Sequence, residues 1–482
     1  MKILILYHLA GNKDRKTIYE HLYSFKKYSD AECTYINAYY HIPSSILKIR
    51  FDLVVYHYTF LGQKWGGPKL FRLFLKIHRK LKRLHGYKVA IPQDEYVYTQ
   101  DLCSFFKEFG VRAVFTCLPQ SEWEKVYPRK LSGLEKYVTV FPGYVDEDSL
   151  KQIRRYQKDH DKKALDIGYR ARKLPYWLGY HALKKWQLTE QFLKVLPKYK
   201  LRYDLSNSYA EVFFGHDWYK FLSSCRVVLG CEGGASLYDP NGKIRKSVEK
   251  YVGKHPNADF WEVERECFPD LDGNLKLFSL SPRHFESCMT HTCQALVEGD
   301  YSGIFKKGLH YIEIKKDWSN IDEVLRKISD VEYCRRIADN AYRDIIGSGK
   351  YTYRSFVNLI LESLEDKLPK GHQSHYRLAE FYPILDIRSY YFLVKAYMLF
   401  RRLAVISAGK LIVMRRYGKA FFRFYRQWLK KILKAKTIRK EKKKRAHILL
   451  RLFKKTLRYC IQNLIKIAIS LERRYGPIKM SS

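Results

Sequence analysis

Four short segments carry side chains with chemistry in them. In SPRHFESCMTHTCQALVEGDYSG (281–303), Pro282 suits the first turn of a helix, where a backbone N–H has no helical partner in any case. Glu286 then falls near the start of that helix, at the positive end of its dipole. A carboxylate there can accept two hydroxyl hydrogen bonds from a ribose, and Arg283 stands beside it as a cation for the same ligand. The pattern equally describes an ordinary helix start with a dipole-favoured glutamate. In GYRARKLPYWLGYHALKK (168–185), Arg170, Arg172 and Lys173 occupy a loop between a strand and a helix, with Lys184 further along. Guanidinium groups grip phosphate oxygens in pairs, and a helix N-terminus adds N–H donors. A solvated basic loop is the plainer alternative.

LGCEGGASLYDPNG (229–242) offers Gly230, Gly233 and Gly234, which let a backbone come close to a ligand, with Glu232 and Ser236 beside them. There is no GK[ST], so this is not a P-loop; a strand running into a turn reads the same way. IPQDEY (91–96) ends the fourth expected strand. Asp94 and Glu95 would face a cleft, and a carboxylate there can take the proton of an attacking hydroxyl. His57, in VVYHYTF, ends the neighbouring strand and is the second candidate. Both also read as binding or structural residues. Cys288, His291 and Cys293 lack the paired spacing of a zinc site, and no metal is expected.

These side chains need elements to hold them. Apolar runs at 2–8, 33–39, 52–58, 87–93, 113–119 and 137–143 alternate with basic amphipathic stretches such as 66–85. That is the pattern of a parallel sheet covered on both faces. After a charged linker at 147–162 the alternation resumes. Strands are expected at 164–170, 200–206, 226–234, 275–281 and 310–315, and helices at 180–195, 283–295 and 320–345. The expected fold is α/β: two Rossmann-like domains in tandem, 1–146 and 163–366, with a cleft between them, then a basic helical extension. No GxGxxG follows the first strand, which argues against a dehydrogenase.

Composition bounds the rest. The chain has 482 residues, 46% hydrophobic and 16% aromatic, which excludes global disorder. Its net charge of +41 points to anionic partners. Ten scattered cysteines without a CxxC pair read as reduced thiols, not a disulfide framework. Residues 371–482 hold 29 Lys and Arg against 4 Asp and Glu. There Leu, Phe, Tyr and Trp recur at helical spacing opposite the bases, a pattern suited to an anionic membrane interface. A self-packed bundle is the alternative. Nucleic acid is the less favoured partner, because the tail shows no RNA or DNA motif.

In order and spacing, VVYHYTF, IPQDEY, VFTCLP, FPGY, IGYRARKLPYWLG, FGHDWYKFLSSCRVVLGCEGGASLYDPNG and SPRHFE…CQALVEGDYSG…HYIEIKKDWSNIDEVL resemble the GT-B glycosyltransferases. The likeness is to the bacterial spore-maturation-protein-like branch, with a family 1/4-type C-terminal domain, over roughly residues 1–365. The resemblance implies a nucleotide-sugar donor held mainly by the second domain and an acceptor approached by the first. It gives Glu286 the ribose, as the second Glu of a Glu-x7-Glu motif, and gives Arg172 and Lys184 the pyrophosphate. The first Glu of that motif falls on Phe278, a departure from the pattern of the retaining enzymes. No resident cofactor is implied, only the nucleotide-sugar as co-substrate.

The expectation is thus a hexosyltransferase-type enzyme of cell-surface polysaccharide biosynthesis, acting without a metal on a glycan or lipid-linked acceptor. It would be cytoplasmic and peripheral at the inner face of the membrane through 371–482. The alternative is a non-catalytic GT-B scaffold, or a basic protein that binds nucleic acid or a protein partner.

Overall fold

The computed structural model describes residues 1–9, 16–40, 42 and 44–368; the tail at 371–482 lies outside them. The first sheet has six strands: β1 (Lys2–Tyr7), β2 (Glu32–Asn37), β3 (Leu53–His57), β4 (Tyr87–Ile91), β5 (Ala113–Thr116) and β6 (Lys136–Thr139). The second part of the chain adds β7 (Leu165–Arg170), β8 (Tyr203–Ser206), β9 (Cys225–Gly230), β10 (Gly233–Ala235), β11 (Leu277–Ser279), β12 (Cys293–Val297) and β13 (Ile312–Ile314). The sheets are ordered β2-β1-β3-β4-β5-β6 and β13-β12-β9-β7-β8, all parallel within each. The α/β class with two parallel sheets is therefore the one found. Every residue of β3 and β9 is buried, as unbroken apolar runs in a doubly covered sheet require.

Both sheets reverse their winding at one point: between β1 and β3 in the first, between β7 and β9 in the second. At such a point the connections leave in opposite directions and open a crevice beyond the carboxyl ends of the strands.

The helices depart from expectation where capping residues intervene. The stretch 66–85 is a helix only over Pro68–Ile77, then a tighter turn over Arg79–Arg83. The helix expected at 283–295 stops at Met289. His291 takes a positive φ of 47°, and CQALV becomes β12, paired between β13 and β9 in the second sheet. The span 320–345 is broken at Asp330, whose side chain accepts the N–H of Tyr333 and starts a new helix, Val331–Ala341. β11 does not join the second sheet; it pairs antiparallel with β10. Within 147–162, Asp146 caps the helix Glu147–Ile153 by accepting the N–H groups of Asp148 and Ser149.

Two helices not read from the sequence, Lys243–Lys254 and Phe260–Cys267, lie between β10 and β11. The turn that leads into the first of them clasps the first domain. Tyr98 N–H donates to the Asp239 carbonyl (3.1 Å), Asp239 N–H to that of Tyr96 (2.8 Å) and Gln100 N–H to that of Pro240 (3.1 Å). One buried cluster runs from Leu4 and Val54 of the first sheet to Leu237, Val248 and Phe260. A second crossing returns the chain: Val145 and residues 351–353 exchange backbone bonds of 2.8 and 3.0 Å. The helix Tyr353–Ser363 then buries Phe356, Val357 and Ile360 against Leu22, Phe25 and Val55. Among the described residues no helix is long and apolar enough to cross a membrane.

Candidate functional site

The winding reversal between β7 and β9 gathers the charges. Arg172 sits two residues past β7 and is exposed. Cys231 and Glu232 follow β9, Arg283 lies in the first turn of the helix Pro282–Met289, and Lys185 comes from the helix Tyr180–Val195. Burial lowers the pKa of Lys185. Arg283 and Arg172 push it the same way, while Cys231 and Asp94 oppose them. Four charged or ionisable groups from four other elements thus act on Lys185, and one of them, Asp94, comes from the first domain, past the end of β4. Arg172, Lys185 and Arg283 have no carboxylate partner at ion-pair distance among the described residues. Like charges gathered without counter-ions repel, so the arrangement favours an anionic occupant.

Beside the cations lies Glu286, in the second turn of its helix. Its Oε2 accepts the indole N–H of Trp218 at 2.8 Å. Arg283 lies over the rings of Trp218 (5.0 Å) and Tyr169 (5.5 Å). The helix start is closed by a capping box: His284 Nδ1 accepts the Ser281 N–H at 3.1 Å. Burial holds the His284 imidazole down to about 3, so it stays neutral and remains an acceptor.

Several residues expected at the site do other work. Arg170 is buried; it donates to Asp204 Oδ2 (2.6 Å) and to the carbonyls of Glu211, Tyr169 and Asp204, and lies against Phe213 and Phe221. Each of its three guanidinium nitrogens donates within the fold. Lys184 turns away: its Nζ donates to the Lys316 carbonyl (3.0 Å) between the rings of Tyr180 and Trp318. The cation facing the crevice from this helix is its neighbour, Lys185. Ser236 donates to Asp272 Oδ1 (2.7 Å) and accepts the N–H of His181 (3.1 Å). Asp272 accepts the N–H of Tyr180, so these two residues already close the start of the helix Tyr180–Val195.

Glu232 is buried and accepts the Tyr301 N–H at 2.8 Å, fixing the turn after β12; burial raises its pKa, with the Tyr301 bond opposing. Gly233 and Gly234 form β10. Gly234 has φ 108° and a Cβ there would lie 1.7 Å from the Leu277 carbonyl oxygen, so the glycine is required by the β10–β11 pairing. Phe278, on β11, stacks on His181 with ring centroids 4.0 Å apart.

His57 is closed off as well. It is 1% exposed, caps the short helix Tyr58–Leu61 by accepting the Thr59 N–H, and shares a 3.0 Å hydrogen bond with His21. Burial drives its pKa well below the ordinary histidine value, and His21 adds to the effect. A group so enclosed does not meet an acceptor in this conformation.

Asp94 is exposed and takes φ 55°, an uncommon conformation for a non-glycine residue and one that recurs at functional sites. Glu95 points the other way. It is fully buried, accepts the Cys117 N–H at 2.8 Å and the Thr116 hydroxyl, and burial raises its pKa. Beneath both lies the buried Lys64. Trp65 follows it and packs against Tyr96 and Trp177 at 5.9 and 6.2 Å, with Arg245 over the rings of Trp65, Tyr98 and Trp177. Among the described residues no three His, Cys, Asp or Glu side chains come together as a metal cage.

No protein-family model matches the chain, and no curated protein matches it in sequence. Among solved structures it is similar to an α-glucosyltransferase in complex with UDP-glucose and DNA containing an abasic site. The identity is 12% and the TM-score 0.46, over 76% of this chain and 98% of that one. It is similar to Anabaena HepE in complex with UDP at 11% identity and TM-score 0.41, over 76% of this chain and all of that one. T4 phage β-glucosyltransferase gives 11% identity and TM-score 0.39, again over 76% and 100%.

Proposed function

We propose that the chain transfers a sugar from a nucleotide-sugar to an acceptor hydroxyl. The observation that carries this reading is the set Arg172, Lys185 and Arg283: three cations without carboxylate partners, at the winding reversal of the second sheet, with Asp94 opposite. A nucleoside diphosphate leaves readily once its developing charge is neutralised, and fixed cations in a partly dry crevice do this well. Glu286, held by Trp218, receives the ribose. Asp94 takes the acceptor's proton as its oxygen forms the bond to the anomeric carbon, and the bond from that carbon to phosphate breaks with the electron pair going to the diphosphate. Gly233 and Gly234 shape the wall beside the donor through the β10–β11 pair.

In this reading the three side chains meet the charge of the leaving group and no metal is needed. The acceptor is a glycan or a lipid-linked glycan of a cell-surface polysaccharide, met at the inner face of the cell membrane. The transferred group is a hexose.

The test is a thermal-shift panel of UDP, GDP, CDP and dTDP on the full chain. A nucleotide at a hundred times its dissociation constant stabilises by about 2.7 kcal/mol. A shift with one nucleotide, lost in Glu286→Ala, supports the reading. No shift with any of them removes it in favour of a non-catalytic basic scaffold.

A further inference from the structure

We propose that the helix Pro68–Ile77 docks the first domain onto an anionic lipid surface. The helix buries Phe71 and Leu75 against the domain, yet Leu70, Leu73 and Ile77 are 60%, 52% and 65% exposed. At about 100° per residue these three fall in one narrow stripe beside the buried face. They stand on a regular helix whose inner face is already packed.

The charge around the stripe identifies the occupant. Residues 62–93 contain nine Lys and Arg and no Asp or Glu. Arg72 and Lys82 are paired to Asp101 and Glu108 from the following helix. Lys69, Lys76, Arg79 and Arg83 are exposed and have no ion-pair partner among the described residues. A nucleic acid would satisfy these cations and leave three large aliphatic side chains in water. A bilayer interface satisfies both, with the aliphatic groups at the acyl boundary and the cations at the lipid phosphates.

The location links this surface to the crevice. Trp65, three residues before the helix, packs on Tyr96 and Trp177, so a membrane under the helix lies on the Asp94 side. The surface belongs to the body of the first domain, on the helix Pro68–Ile77.

Hydrogen exchange on the full chain tests this, with phosphatidylcholine vesicles alone or containing about 30% phosphatidylglycerol. Exchange over 68–77 should slow on the anionic vesicles. In Leu70→Ser/Leu73→Ser/Ile77→Ser the slowing should vanish and partitioning fall by about tenfold or more, with the thermal midpoint kept as the folding control. Lys69→Gln/Lys76→Gln, which keeps the apolar stripe, should lose much of the preference for anionic lipid. The proposal is overturned if vesicle-bound chain exchanges over 68–77 as the free chain does, or if duplex DNA protects the helix equally. It is also overturned if the triple variant turns a dimer into a monomer in sedimentation. None of these readouts needs turnover, so they stand apart from the sugar-transfer reading.

Discussion

The Nζ of Lys64 donates to the carbonyl oxygen of Asp94 at 2.6 Å, and to that of Val97 at 3.1 Å. A buried cation thus spans the loop that turns Asp94 toward the crevice. Both Asp94 and Tyr98 in this loop take positive φ, and the lysine beneath holds that shape. Burial lowers the Lys64 pKa, with the carboxylates of Asp94 and Glu95 opposing.

Asp94→Asn should therefore abolish transfer and spare the donor. A lost general base costs about 100- to 10,000-fold in kcat, while the nucleotide dissociation constant should stay within about twofold, because no donor contact is assigned to it. Lys64→Met should lower kcat as well and destabilise the fold by about 1–3 kcal/mol, since the buried Val97 carbonyl and the part-buried Asp94 carbonyl lose their donor. Steady-state kinetics beside equilibrium nucleotide binding separates the two effects. A weakened donor affinity in Asp94→Asn would move Asp94 to the donor side.

Adjacent lysines should behave differently. Lys185→Ala removes a charge-assisted contact to phosphate, worth roughly 1.5–3 kcal/mol, and should weaken nucleoside diphosphate binding about tenfold or more. Lys184→Ala should leave that affinity unchanged, and Arg170→Ala should destabilise the fold without altering affinity in the folded fraction. Calorimetric titration of the four variants, with Arg283→Ala as the fourth, decides this. Equal losses at 184 and 185 would return the phosphate to both lysines.

Acid should destabilise the protein from about pH 6.5 downward. Burial holds His21, His160 and His284 at about 3, against about 6.5 in the unfolded chain. A lowered folded pKa contributes stability that is complete above the unfolded value and is lost as pH falls toward the folded one. Each such histidine costs up to about 1.4 kcal/mol per pH unit below 6.5. The thermal midpoint should fall between pH 6.5 and 5. His284→Gln, which preserves the capping acceptor, should flatten that slope.

Two glycines make a paired stability test. Gly234→Ala places a Cβ against the Leu277 backbone at φ 108° and should cost at least about 2 kcal/mol. Gly253, inside the helix Lys243–Lys254, has open space where a Cβ would stand, and Gly253→Ala should stabilise by about 0.5 kcal/mol. Chemical denaturation of both variants reads the difference.

Periodicity made the sheets legible. Parallel strands buried on both faces read as apolar runs, and all six runs of the first domain are strands. β12 escaped because Pro282 and the apolar positions after it continue a helical pattern through residues that turn at His291. Lys184 against Lys185 was open to the same reasoning. Lys184 shares a four-residue stripe with Leu188 and Phe192, both buried, whereas Lys185 shares one with His181, which faces Phe278. Trp218 and Lys64 had no such signal. Their roles depend on contacts 68 and 30 residues away in sequence, and nothing local encodes those.

The two crossings between the domains, Tyr96–Asp239 and Val145–Thr352, have a mechanical meaning. Two bodies tied by backbone bonds at two separated points move most easily by rotation about the line through those points. Sliding and twisting of one half past the other would break backbone bonds at one end or the other. Any breathing of the crevice is then that of a book on its spine.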